Sequence, residues 1–262
     1  MNAIYELFTG GVSLQYFLIV LFGLLIGSFL NVCIYRLPRG ESLLFPPSHC
    51  MSCSRRLKPL DLIPVVSFIL LGGKCRYCGT PFSSRYIVVE LLTACLYIGC
   101  LLIFGLSAGL IRSLIFVSFL IVITFIDYDH QLILDKVLIW FAGAGVLINW
   151  ITGSLPLGNM VLAALLGGGL LLLVAVVSRG GMGGGDVKFA AALGLWLGWQ
   201  LTLLALLLSF FLGGLGGAIL MLLKIKGRKD FIPFGPFIAL GAFISLLYGY
   251  RILAWYLANF LR

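Results

Sequence analysis

Two aspartates stand where an apolar chain has little reason to carry charge. Asp127 closes the run Ile123-Thr124-Phe125-Ile126-Asp127-Tyr128-Asp129-His130, and Asp186 follows three glycines in Gly181-Met182-Gly183-Gly184-Gly185-Asp186-Val187-Lys188. Placing an aspartate within a membrane helix costs about 2.5–3.5 kcal/mol on insertion scales, so such a residue marks a site of function. Two carboxylates that share a site cannot both ionise easily; one holds a proton while the other activates water. That arrangement hydrolyses a peptide bond by acid/base chemistry without a covalent intermediate. The same residues would also suit two other roles. Asp186 fits the N-terminus of a helix, with Asp129 and Asp135 merely solvated, and an aspartate pair would serve a proton or cation pathway. Gly183, Gly184 and Gly185 let another backbone or an extended peptide approach Asp186 closely.

A second constellation is Cys50-Met51-Ser52-Cys53, then Cys75-Arg76-Tyr77-Cys78. Paired Cys-x-x-Cys steps at this separation supply four thiolates, the closed tetrahedral shell of a structural zinc site with no position left for water. Gly79 and the cations Arg55, Arg56, Lys74 and Arg76 suit a zinc knuckle, their charge favouring thiolates. Two disulfides or four free thiols are the alternatives. Cys33, Cys95 and Cys100 lie in apolar segments as small buried hydrophobes.

The elements that must position these groups follow from composition. Of 262 residues 61% are hydrophobic and 10% charged, against roughly 25% charged in soluble domains, and the mean hydropathy is +1.15. This composition predicts an all-α polytopic membrane protein. The net charge of +9 is no nucleic-acid signal, because it sits in membrane-flanking loops. The first apolar run is too long for a signal-peptide core and follows Glu6 rather than a basic stretch, so no cleavable signal peptide is expected. Apolar runs of spanning length fall at about 13–35, 86–105, 109–126, 137–151, 157–177, 202–223 and 236–260. A short run at 189–199 brings the expected spans to about eight. Residues 62–72 are apolar but too short to cross.

Basic residues favour the cytoplasmic side. With both termini outside, the long loop at about 36–85 and the connections 127–136, 179–188 and 224–230 face the cytoplasm and hold all but Arg112, Arg251 and Arg262 of the 18 Lys and Arg residues. Asp127 and Asp186 then lie at cytoplasmic helix ends, on the side of the cysteine loop, where a reducing environment disfavours disulfides.

In order along the chain come Gly27-Ser28-Phe29-Leu30-Asn31-Val32, Arg36-Leu37-Pro38, the Cys-x-x-Cys pairs, Arg85-Tyr86 with Glu90, Asp127-Tyr128-Asp129-His130, Gly183-Gly184-Gly185-Asp186-Val187-Lys188 and Pro233-Phe234-Gly235-Pro236. This ordered set, over about residues 20–240, resembles the bacterial type IV prepilin peptidase family, bifunctional leader peptidases and N-methyltransferases of the Gly-x-Gly-Asp class of intramembrane aspartic proteases. The resemblance implies that Asp127 and Asp186 are the catalytic pair, supported by Gly183, Gly185, Asp129 and Lys188. It implies that the substrates are prepilins or pseudopilins, cut after a glycine ending a short basic leader. The new N-terminal residue is then methylated from S-adenosylmethionine. It also implies partners in pilus or secretion assembly, a lipid bilayer of the bacterial inner membrane as the setting, and no nucleic acid. Residues 1–105 would form the methylating half, bearing the zinc loop, and 106–262 the peptidase half.

One departure is visible: the family often has proline before the aspartate that follows the catalytic motif, and this chain has Ile133-Leu134-Asp135. Proline there would set the turn into the next helix. Candidate residues for the methyl donor are Asn31, Arg85 and Glu90. Asn31 also suits an interhelical hydrogen bond, and Glu90 a balance to Arg85 or the helix dipole. No Gly-x-Gly-x-x-G follows a predicted strand, so the donor site is not of the α/β nucleotide-binding kind. Lys188 is read as a ligand for lipid phosphate. The alternatives to the bifunctional enzyme are a peptidase without methylation and, in a different class, a proton- or cation-coupled transporter.

Overall fold

The structure, a computed structural model, describes residues 10–179, 181–225, 227 and 232–260. Glu6, used above to argue against a signal peptide, and Lys226, Arg228, Lys229 and Arg262, used to set orientation, lie outside the described residues. The described chain is helical and carries no strand; only two isolated β-bridges occur, His49 with Arg56 and Lys74 with Pro81. Its helices are α1 (Gly10–Arg36), the short α2 (Val66–Leu70), α3 (Arg85–Phe104), α4 (Ala108–His130), α5 (Asp135–Thr152), α6 (Leu157–Val177), α7 (Gly184–Leu222) and α8 (Gly235–Phe260). All but α2 are long and apolar enough to cross a membrane. α2, with five residues, confirms that the apolar stretch after Leu62 cannot span. The helices present large apolar side chains outward, Trp150, Leu173 and Phe211 among them, as lipid-facing surfaces do.

The chain divides into two compact units, Met1–Val122 and Ile123–Arg262. In the first, α1 and α3 meet through small residues. A Cβ on Gly23 would stand 2.7 Å from Ala94 Cα, and one on Gly27 would stand 2.7 Å from Glu90 Cα. This is the close crossing that small residues four apart permit in lipid, where apolar burial alone does not favour helix association. Polar side chains add directional ties. Asn31 Nδ2 donates across the crossing to Tyr86 O at 3.0 Å, and Tyr97 Oη shares a 2.7 Å hydrogen bond with Ser118 Oγ. Of the three cysteines outside the loop, Cys33 and Cys100 are buried as expected, whereas Cys95 is exposed on the outer face of α3.

In the second unit, the predicted spans at 189–199 and 202–223 are joined in α7, so the described chain has seven spanning helices. The 39 residues of α7 do not form one straight rod: Gly198, at φ 75° and ψ 170°, breaks the helix. Neighbouring contacts show that the chain turns back there. Gly198 and the Trp199 N–H sit against Asn159 at the start of α6. Beyond the break, Leu201 O accepts a hydrogen bond from Ser245 Oγ, Gly241 packs on Ala205 and Ser209, and Gly213 packs on Phe234. Rising numbers in α7 therefore meet falling numbers in α8. Since α8 begins beside Asp127, the second limb of α7 returns to the end of the unit from which the first limb left. With α7 running out and back, seven candidate spanning helices are described where about eight were expected, one of them holding two limbs. Asn149 Nδ2 to Leu195 O at 2.8 Å and Trp196 Nε1 to Phe141 O at 2.8 Å tie α5 to the first limb.

Only glycine occupies the conformation at 198 without penalty, at a cost of about 1–3 kcal/mol for other residues, and a Cβ there would also stand 2.9 Å from Asn159 Oδ1. Gly198→Ala is expected to lower the thermal unfolding temperature of the detergent-solubilised protein by several degrees; an unchanged transition would remove the break from the list of constraints on the fold.

Candidate active site and metal centre

Asp127 lies in the last turn of α4 and Asp186 in the first turn of α7, only 5% and 7% exposed. Both line one cavity of about 520 Å³, together with the α4–α5 connection, Gly183–Gly185, Lys188 and Phe234. The connection is shaped locally. Gln131 takes φ 52° and its N–H closes on Asp127 O at 2.8 Å, ending α4. Ile133 then turns inward, 7% exposed, against the glycine run: a Cβ on Gly185 would stand 3.0 Å from Ile133 Cβ. Gly185 is thus small to seat Ile133, whereas a Cβ on Gly184 would meet nothing within 4 Å. Leu134 adopts φ −74° and ψ 123°, within the range a proline imposes, so its departure from the family pattern leaves the turn into α5 intact.

Each carboxylate is held by a backbone amide. Asp186 Oδ2 accepts the Gly183 N–H at 3.2 Å, while its Oδ1 is buried with no hydrogen-bond partner. Asp127 Oδ2 accepts the Gly235 N–H at 3.0 Å. Because Gly235 begins α8, the positive end of that helix's dipole lies at Asp127 and favours its anion. A Cβ on Gly235 would stand 2.5 Å from Asp127 Oδ2, so nothing larger fits. Gly235 and Ile133 are site residues that reasoning on carboxylates alone passes over. The only trace of Gly235 in the sequence is its place between two prolines.

The other supporting candidates separate. Asp129 is exposed and does not line the cavity. Lys188 Nζ lies 2.8 Å from both oxygens of Asp135, so it is engaged by that carboxylate rather than presented to lipid phosphate. Both side chains are more than half exposed, and such a pair contributes about 0–1 kcal/mol.

The four loop cysteines come together in two matching turns. Cys50 N–H donates to Arg55 O at 3.0 Å and Ser54 N–H to Cys50 O at 2.8 Å; Cys75 N–H donates to Thr80 O at 2.8 Å and Gly79 N–H to Cys75 O at 2.9 Å. Ser54 and Gly79 both take positive φ, 53° and 72°. All four sulfurs lie within 4.8 Å of one another, and Cys50 Sγ is 3.7 Å from Cys78 Sγ. A tetrahedron with metal–sulfur arms of about 2.3 Å has edges of about 3.8 Å, so the spacing fits a four-thiolate metal site. None of these cysteines is in a disulfide. Thr80 draws Cys78 down to about 6 through its hydroxyl and N–H, and the Cys53 N–H lowers Cys50. Cys53, despite an N–H from Arg55, is pushed up to about 11 by burial and by its sulfur neighbours. Crowded thiolates of this kind are what a bound cation relieves. Behind them, Asp61 accepts from Arg76 Nε at 2.6 Å, Tyr77 Oη at 3.3 Å and the Lys58 N–H at 3.1 Å, fastening the second turn to residues 58–62.

Of the methyl-donor candidates, Asn31 and Glu90 line a separate cavity in the first unit and Arg85 does not. Glu90 Oε2 accepts the Val65 N–H at 2.8 Å.

Residues 21–104 match the family described as the bacterial peptidase A24 N-terminal domain, and residues 114–218 match the type IV leader peptidase family. A relative from Aeromonas hydrophila, named prepilin leader peptidase/N-methyltransferase, is 37% identical over 290 residues and covers 100% of both chains. This chain belongs to the type IV leader peptidase family. Relatives of the same name from Bacillus subtilis and Pseudomonas aeruginosa are 35% and 34% identical, covering 92% and 91% of this chain and 97% and 92% of their own. No solved structure matches. Membership makes the chain an enzyme, and its resemblance through short motifs extends to the whole length.

Gly235 touches Asp127 through its amide, so replacing it tests that contact while leaving every carboxylate in place. Gly235→Ala must displace Asp127, and misplacement by about 1 Å can cost a hundredfold in rate. Leader cleavage is expected to lose tenfold or more in kcat with KM within about threefold; a wild-type kcat would show that the amide does not position Asp127.

Proposed function

We propose that this enzyme removes the basic leader of prepilins or pseudopilins at the cytoplasmic face of the bacterial inner membrane, using Asp127 and Asp186, and methylates the new N-terminal residue with S-adenosylmethionine. The observation that carries the cleavage is the pair of buried aspartates lining one cavity, each fixed by a backbone amide and one of them with an unpartnered oxygen. Asp127, held at a helix N-terminus, is the anion that takes a proton from water as the water attacks the scissile carbonyl. Asp186 carries the shared proton on Oδ1 and gives it to the carbonyl oxygen. When the tetrahedral intermediate collapses, the proton on Asp127 passes to the leaving amine, a hydroxyl proton of the intermediate returns to Asp186 as the carbonyl re-forms, and no covalent intermediate forms. The open side of Gly184 leaves room for a substrate backbone beside Asp186. The relatives' name supports prepilin substrates, and pilus or secretion assembly machinery follows as the partner.

The orientation proposed places both termini outside, in keeping with eight passes and the basic loops. Within it, residues 1–105 carry methyl transfer and 106–262 carry cleavage. The tetracysteine loop holds zinc as a structural ion through Cys50, Cys53, Cys75 and Cys78, whose spacing suits that ion; its contribution is to the fold of the loop.

Asp127→Asn and Asp186→Asn are each expected to abolish leader cleavage while the protein still inserts, a loss of at least a thousandfold. Complete prepilin processing by either variant refutes the assignment and returns the transporter reading. For the loop, elemental analysis of purified protein is expected to give one zinc per chain, lost on Cys75→Ser; a metal-free wild-type protein with full thiol reactivity would rule the ion out.

A further inference from the structure

The first unit holds a cavity of about 330 Å³ that peptide cleavage does not use. Two side chains at it are costly to bury where they stand. Glu90 lies on a membrane helix, 7% exposed, and among the described residues no lysine or arginine is paired with it. Instead Oε2 takes the Val65 N–H at 2.8 Å. Asn31, 2% exposed, gives both its donors' bonds to Gly27 O and Tyr86 O, which fixes the orientation of its amide and leaves Oδ1 buried without a partner. An unfilled acceptor of this kind costs free energy unless a ligand completes it. The backbone at Glu90's partner is unusual as well: Val65 takes φ 61°, a conformation β-branched residues rarely adopt.

The lining is rich in acceptors and aromatic faces. Glu90 and Asn31 stand at its wall, and Tyr35, Phe68 and Tyr86 contribute rings. Of the cations at the cavity, Arg36 is already bound to Ser42 O at 2.8 Å and Pro46 O at 2.6 Å, leaving Lys74. Such a set selects an organic cation with a planar group, since aromatic faces and carboxylates attract positive charge. The methyl donor needed by the proposed second activity is a sulfonium that also bears an ammonium and an adenine.

We infer that this cavity between α1 and α3 is the S-adenosylmethionine site, with Glu90 and Asn31 recognising the donor's positive charge; the inference rests on the methyl-transfer reading above. It accounts for the absence of a glycine-rich nucleotide loop, because recognition is by charge and rings rather than by backbone amides. It also gives product release a cause. In transfer, the amine nitrogen of the substrate takes the methyl group, the S–C electron pair stays on sulfur, and the amine proton leaves to solvent. The neutral thioether product then holds one positive charge fewer beside Glu90.

The full chain in lipid nanodiscs is titrated with S-adenosylmethionine and with S-adenosylhomocysteine. Glu90→Gln is expected to weaken the sulfonium ligand tenfold or more, in line with loss of a coulombic attraction between opposite charges at a partly buried site, and the thioether less than threefold. Equal loss for both ligands, or none for either, overturns the role of Glu90. As a test free of any variant, labelled donor photo-crosslinked to the wild-type chain is expected in peptides spanning 28–36 or 65–90; label confined to other segments refutes the site. A chain that methylates a mature pilin N-terminus while the Glu90→Gln form keeps full donor affinity sinks this site and leaves methyl transfer standing. A wild-type chain that neither binds the donor nor methylates removes the underlying reading too.

Discussion

The hydrogen bond from the Gly235 N–H to Asp127 Oδ2 sets the terms for the second unit. It requires the end of α4 and the start of α8 to meet at one level, while the shared cavity requires the start of α7 to meet them there as well. A 39-residue helix that ran straight would span about 58 Å and deliver α8 to the opposite end. The break at Gly198 returns the chain instead. The absent side chains at Gly198 and Gly235 therefore answer one demand, the first by permitting the reversal and the second by letting a helix end touch a carboxylate.

Charge in this protein is held by backbone more than by opposite charge. Asp127, Asp186 and Glu90 each accept a backbone N–H, and none is paired with lysine or arginine among the described residues. An amide can hold a carboxylate in either protonation state, whereas a lysine or arginine beside it would lock the anion. An exposed acid–base pair, Lys188 with Asp135, lines the cavity that Asp127 and Asp186 share. In the cysteine loop the logic reverses, and clustered sulfurs favour a metal cation.

The motifs were legible because each has a local physical signature. Four cysteines in two steps of three define a metal shell whatever the fold around them, and an aspartate in an apolar run is conspicuous by its cost. Gly235 was less so: its function depends on an oxygen 108 residues away in sequence, and a glycine between prolines reads equally well as a simple turn. The partner of Lys188 is hidden from the sequence for the related reason that Asp135 is 53 residues distant. Gly185 was read as clearance for a substrate, and its neighbour proved to be Ile133.

The sequence by itself determined the membrane class, the helical content, the cysteine cluster and the identity of the two buried aspartates, since hydropathy, spacing and charge are written in neighbouring residues. Only the tertiary structure decided that α7 doubles back, that Asp127 is held by the amide opening α8, and that Asn31 and Glu90 line one cavity. Those outcomes depend on helices packing within a few ångströms of each other, and such proximity is set by which small residues meet across a crossing rather than by any pattern along one helix.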